Sequence, residues 1–189
     1  NPDVRTLIEA QVDWLLPMLS AHPSVRALVR EQVAAVLPAL ANDPSVQALI
    51  RAQAASVNPF DCAARAGYLT GWYAYDFPLI LGLDVAGVVE ACGDGVTQFA
   101  PGEAVYARTD PGRNGAYAEY VIARPDEMAA SPKSVDALHA AAIPHVALTA
   151  LALVEAANLT AGQTVLIHAA AGGVGHLAVQ FAKQRGARL

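Results

Sequence analysis

The apolar positions of this chain fall into two regimes. Over the first fifty-odd residues they recur with helical spacing. Val25, Leu28, Val29, Val33, Val36, Leu37 and Leu40 line one face at intervals of three and four. The unit itself repeats every 21 residues, opening at Asn1-Pro2-Asp3-Val4, His22-Pro23-Ser24-Val25 and Asp43-Pro44-Ser45-Val46. Each opening is followed by Leu-Ile or Leu-Val and then by Gln11, Gln32 or Gln53. A period of this size is a signature of stacked helical units. Pro2, Pro23 and Pro44 suit a first helical turn, where no hydrogen bond is lost. Asn1 and Asp43 are good caps before them and His22 is a poor one. Pro17 and Pro38 end or kink each helix just before them. Such a repeat serves either as a docking array or as helices packed on each other or on the next domain.

After Gln53 glycines and β-branched residues take over at turn-and-strand spacing. The spacing predicts strands over 84–92, 103–107 and 115–123, separated by Gly93-Asp94-Gly95 and Pro101-Gly102 and ended by Pro125. Helices are expected over 135–142 and 146–157, then a buried strand over 164–168, a glycine loop, and a helix over 173–185 closed by Gly186. Residues 49–53 read two ways, as the end of the third repeat or as a strand leading into Ser56.

Composition narrows the classes. The chain has 189 residues, 54% hydrophobic and 15% charged, enough for one or two small domains and too apolar for disorder. The net charge of −5, with no Lys/Arg cluster, argues against nucleic acid and anionic membrane as partners. Four arginines face five acids over residues 1–53, too little positive charge for a lipid-surface patch. Cys62 and Cys92 allow no disulfide framework and no all-cysteine zinc site, which suits a cytoplasmic protein with reduced thiols. No signal peptide is visible at the start. Residues 137–154 lack charge, but His139, Pro144, His145 and Thr149 interrupt them, so they read as buried helices and not as a membrane span.

The strongest chemical signal is strand, glycine turn, helix at 164–183. That is the context a dinucleotide fingerprint needs. Ala170 stands at the first glycine position, and Gly172, Gly173, Val174 and Gly175 complete the candidate cofactor-binding loop. Gly172 would let a pyrophosphate approach the backbone, and Gly175 would let the helix pack close to the strand. The helix N-terminus offers free N–H groups and partial positive charge to phosphate. The alternative is a tight strand–helix turn with no ligand.

Several motifs in order resemble the medium-chain dehydrogenase/reductase superfamily, specifically its zinc-independent quinone oxidoreductase branch. They are Ala55-Ser56-Val57-Asn58-Pro59-Phe60-Asp61 with Arg65-Ala66-Gly67-Tyr68; Pro78-Leu79-Ile80-Leu81-Gly82-Leu83-Asp84-Val85-Ala86-Gly87; Pro101-Gly102-Glu103; Gly115-Ala116-Tyr117-Ala118-Glu119-Tyr120; Leu148-Thr149-Ala150; and the Ala169–Gly175 loop. The resemblance implies a partial GroES-like β domain over 54–126 and then the start of a Rossmann domain over 127–189; with the α-helical repeats of 1–53, read from their periodicity, before them, the chain is expected to be α+β to α/β. It implies NADPH as cofactor and a quinone, enone or related carbonyl compound as substrate. Asn58 would sit beside the nicotinamide, with Asp61 and Tyr68 as further catalytic candidates and Thr149 at the cofactor cleft. From the residues alone, Asn58 reads equally as a helix N-cap, Asp61 as an acid of the first turn, Tyr68 as a half-buried core tyrosine and Thr149 as a helix threonine bonding its own backbone. The zinc branch places a cysteine and a His-Glu where Asn58 and Leu83-Asp84 stand here. His145 falls near a third ligand position and alone cannot hold zinc, so no metal is expected.

The chain departs from the family at both ends. The repeat stands where N-terminal strands are expected, and Leu189 falls where the second Rossmann strand would begin. The residues that read the adenosine ribose would lie beyond it. Two functions are therefore expected: a zinc-free NADPH-dependent oxidoreductase, with a homo-oligomer as one way to complete its sheet, or an inactive fusion or scaffold joining a helical repeat to a reductase remnant. The isolated chain should hold NADPH poorly.

Overall fold

The computed structural model describes residues 48–189, and the helical reading of the repeat over 1–47 lies outside these residues. The described part opens with strand β1 (Ala48–Ala55). This resolves the double reading of 49–53 and corrects the helical expectation there. Ala48, Leu49 and Ile50 are almost fully buried, and the rest of the strand alternates between half-buried and exposed. Backbone pairing on both edges outweighs the helical spacing of these few residues.

Helix α1 (Pro59–Arg65) follows, then β2 (Asp84–Cys92), β3 (Ala104–Arg108), β4 (Tyr120–Ala123) and β5 (Met128–Ala130). The strands form one antiparallel sheet in the order β4-β1-β2-β3-β5. Ala55 faces Val85 across β1 and β2, and Asp84 faces Arg108 across β2 and β3. β2 reads as a near-continuous apolar run because both its faces are covered. Val85 and Val89 enter the main core with Ile50, Val105, Val121 and Met128. Ala86, on the other face, packs on Ala140 and Ala141.

The expected strand over 115–123 shrinks to its last four residues. The reason lies in where the earlier backbone groups bond. Gly115, Ala116 and Tyr117 donate to the carbonyls of Ile80, Gly82 and Leu81 at 2.8–2.9 Å, so they are tied to the 80–82 loop and not to the sheet. This close approach needs glycine. A Cβ on Gly82, whose φ is +101°, would meet the Tyr117 ring at 2.6 Å.

Two helices then bridge to the second unit. The first, α2 (Ala137–Ala140), is capped by Asp136, which accepts from the His139 N–H at 2.9 Å. It is shorter than the 135–142 expected. The second, α3 (Pro144–Ala156), starts two residues earlier than expected, with proline at its first position. It packs on α4 (Gly173–Gln184) through Ala150, Val154 and Ala178.

The buried strand expected over 164–168 is not formed. Thr164 makes one parallel bridge, to Arg188, and Leu166 is 79% exposed. Among the described residues the ladder consists of Val165 donating to Arg188 and Arg188 donating to Gln163. A parallel strand needs paired edges and cover on both faces. Here Ile167 packs against the Ala150, Val154 and Ala178 cluster of α3 and α4, while Leu166 stays exposed. The whole is α+β.

Candidate functional site

The site begins where β1 runs into α1. Asn58 occupies the N-cap position and Pro59 the first helical turn. The Asn58 backbone N–H donates to Asp61 Oδ2 at 2.7 Å, so Asp61, only 4% exposed, closes the turn from within. The Asn58 side chain points elsewhere. Its Nδ2 donates to Asp84 Oδ2 at 2.9 Å and to Ser56 Oγ at 3.1 Å.

Asp84 is the centre of this cluster. It opens β2 and is fully buried. Its carboxylate also accepts from Ser56 Oγ at 2.7 Å and from the His145 backbone N–H at 2.8 Å. That last bond caps α3, whose own N-cap residue, Ile143, has no side chain able to do so. Burial pushes the Asp84 carboxyl above the usual carboxylate range, against the pull of its hydrogen-bond donors.

His145 joins the same cluster through its ring. Arg108 Nε donates to His145 Nδ1 at 3.3 Å, and Phe60 packs edge-on at 5.9 Å. Burial, and secondarily Arg108, hold the imidazole below its ordinary pKa near 6.5, with Asp84 opposing. The unfolded chain therefore binds this proton more readily. The stability that neutral His145 contributes is present above about 6.5 and is lost as pH falls through the lower folded-state value. A proton NMR titration of the folded chain is expected to place His145 below 6.5; a midpoint at or above that value would contradict the burial argument.

The structure puts a different tyrosine beside the cluster from the one the sequence singled out. Tyr68 is 81% exposed, just beyond α1, and not half-buried. Tyr117 instead donates its hydroxyl to the Ser56 carbonyl at 3.3 Å. Burial and the facing Asp61 carboxylate raise its pKa strongly, so it stays neutral. Thr149 Oγ1 donates to the His145 carbonyl at 2.8 Å, one turn back along α3. Asp84, Ser56 and Tyr117, which the sequence did not single out, complete the cluster. The available signal for Asp84 was an acid at the head of a mainly apolar run.

The glycine loop lies at the other end of α3's first turn. Ala169 has φ +52°, and Gly172, extended, is the N-cap of α4. A Cβ on Gly175 would come within 3.0 Å of the Ala169 carbonyl and Ala170 Cα, so only glycine lets α4 pack this close. A Cβ on Gly172 would meet only the Ala169 carbonyl oxygen, at 3.3 Å. Gly173 lies against Val146, whose Cγ1 would be 3.1 Å from an added Cβ. Gly173, Val174 and Gly175 form the first turn of α4, where N–H groups lack helical partners. Asn58, Asp61 and His145 are thus brought together. Ala170 and the glycines form a separate arm, joined to them by consecutive residues of α3.

Among the described residues no group of three or more His, Cys, Asp or Glu side chains is arranged to hold a metal ion. No helix among them is long and apolar enough to cross a membrane.

Comparison with known proteins places this geometry. Residues 44–133 match the alcohol dehydrogenase GroES-like domain. The mitochondrial NAD(P)H oxidoreductase RTN4IP1 of Danio rerio is 38% identical over 149 residues, covering 70% of this chain and 38% of that protein. The quinone oxidoreductase structure from Coxiella burnetii superposes with TM-score 0.67 at 39% identity, covering 76% of this chain and 46% of the other. A mycobacterial protein solved with NADPH superposes with TM-score 0.65 at 36% identity, covering 75% of this chain and 43% of the other. The chain thus spans less than half the length of these relatives. A GroES-like sheet, a glycine loop at a helix N-terminus and these likenesses agree: the chain carries a quinone-oxidoreductase-like segment of the medium-chain dehydrogenase/reductase superfamily.

Proposed function

We propose that this segment serves an oxidoreductase that uses NADPH, needs no zinc, and reduces a quinone, enone or related carbonyl compound. One observation carries the reading. The first turn of α3 touches both arms of the site, with the His145 N–H on Asp84 and Val146 against Gly173. One short stretch of helix therefore holds the Asn58 cluster and the glycine loop in a common frame. The space at Gly172 and the N–H groups of Gly173, Val174 and Gly175 suit a pyrophosphate. Asn58 and Thr149 would face the nicotinamide end. Bound there, the reduced nicotinamide would supply a hydride. The chain's own residues would bind, orient and exclude water; Tyr117, held neutral, would keep the Ser56 carbonyl occupied. Both cysteines are free thiols, which suits a reducing compartment such as the cytoplasm; the Danio rerio relative is named mitochondrial.

The test is NADPH calorimetry on the full chain, followed by NADPH oxidation with a panel of quinones and enones. Weak but saturable binding is expected of the chain alone, with slow turnover or none unless a second chain completes the site. No binding at millimolar NADPH would favour the scaffold reading, to which the single bridge at Thr164 lends some support.

A zinc-free site fits an amide at Asn58 and an apolar side chain at Leu83, neither of which ligates zinc. Elemental analysis is expected to find no stoichiometric zinc. A tightly held ion whose chelation abolishes NADPH binding would overturn this part.

A further inference from the structure

We propose that Asp84 is a positioning residue of the cofactor site, fixing both the Asn58 amide and the first turn of α3. The proposal rests on the NADPH reading above. Asp84 cannot touch a ligand itself, because no part of it reaches the surface. Its influence runs through three donors, Ser56 Oγ, Asn58 Nδ2 and the His145 N–H, at 2.7, 2.9 and 2.8 Å.

An ionised carboxylate only accepts hydrogen bonds. The edge of Asn58 that faces it must therefore be the NH₂ group. This sets which end of the amide points inward, a choice that an isolated asparagine leaves open. The other Asp84 oxygen, Oδ1, holds the His145 N–H and with it the start of α3. Thr149 lies one turn further along, bonded back to the His145 carbonyl at 2.8 Å. Val146, next to His145, packs on Gly173 of the glycine loop. A shift at Asp84 thus reaches the nicotinamide side through Asn58 and the phosphate side through Val146.

Replacing the carboxylate by an amide breaks this arrangement without changing its size. Asp84→Asn presents one NH₂ where only acceptors suit: at the Oδ2 position it opposes Ser56 Oγ and Asn58 Nδ2, and at the Oδ1 position it opposes the His145 N–H. The experiment compares wild type and Asp84→Asn as full chains. NADPH affinity is read by calorimetry, and the Asn58 side-chain amide and His145 backbone amide by ¹⁵N NMR. In wild type the Asn58 amide protons are expected at displaced, well-separated positions. In Asp84→Asn they or the His145 backbone amide should move toward free-amide positions, and Kd for NADPH should rise at least about tenfold, equivalent to about 1.4 kcal/mol. Unchanged resonances at both the Asn58 side chain and the His145 backbone amide would overturn the proposal. So would a Kd within twofold of wild type when those resonances have moved. Wild type failing to bind NADPH would sink the cofactor reading and, with it, the role given to Asp84. Wild-type binding with an indifferent variant would sink the proposal alone. If Asp84→Asn does not fold, wild type still decides. Displaced Asn58 resonances that move again when NADPH binds support the proposal; free-amide resonances refute it.

Discussion

Gly172→Val is expected to abolish NADPH binding while leaving the chain folded, and Gly175→Val to disrupt the fold around the loop. The two residues are three apart and crowd the same Ala169 carbonyl to very different degrees. An added Cβ at Gly172 meets one atom, the Ala169 carbonyl oxygen, at 3.3 Å, and its extended backbone accepts any residue. The branched side chain would then fill the approach to the N–H groups of α4. Charge-assisted hydrogen bonds contribute roughly 1.5–3 kcal/mol each. Losing two costs about 3–6 kcal/mol, or on the order of 10²–10⁴ in affinity. At Gly175 the added carbon would lie within 3.0 Å of backbone atoms of Ala169 and Ala170, which have no room to yield while α4 stays packed. Calorimetry and circular dichroism on both variants check this. Normal NADPH binding by Gly172→Val would remove the loop from the cofactor site. A fully stable Gly175→Val would show that the loop packs more loosely than described.

The largest loss of stability is expected at Ile50. Its side chain is fully buried in the cluster with Val85, Val89, Val105 and Val121. Ile50→Ala should cost about 2–5 kcal/mol, lost transfer energy plus the cavity left behind. With a urea slope of roughly 1–3 kcal/mol per molar, the unfolding midpoint drops by about 1 M or more. Leu166→Ala is the control. At 79% exposure it should change stability by less than about 0.5 kcal/mol. A similar loss at both positions would mean that the 164–168 segment is buried after all.

These two residues also mark what the sequence could reveal. Strand β2 was legible to the residue, because an apolar run bounded by Leu83-Asp84 and Gly93-Asp94-Gly95 has no other good reading. Helix α4 was legible to within one residue at its end, from its glycine-rich start and Gly186. Leu166 misled, since its run of Val, Leu and Ile is the pattern of a buried parallel strand, and burial depends on neighbours that composition does not supply. Residues 115–119 misled for a related reason: their pattern suits a strand, but their partners are the carbonyls of the 80–82 loop, far away in sequence. At the site, Asn58, Asp61 and the glycines stood out by motif. Asp84 was read as the head of a strand and as standing where the zinc branch has another residue, and its role in the cluster stayed hidden because a carboxylate's three donors come from 28, 26 and 61 positions away. Tyr117 reaches the Ser56 carbonyl only once its backbone is bonded to the 80–82 loop.

The cap on α3 bears on the order in which the chain folds. A helix whose first turn is capped by its own residue can form early and alone. Here the capping carboxylate sits on β2, and β2 is placed only when the sheet has formed. The start of α3 must therefore be completed after the sheet, or together with it. In the native state the His145 amide proton should exchange with solvent only when the sheet itself opens, as slowly as Val89 and Ile50 in the core. Amides near the far end of the same helix, around Ala156, should exchange much sooner, so α3 should fray from its C-terminus and not from both ends.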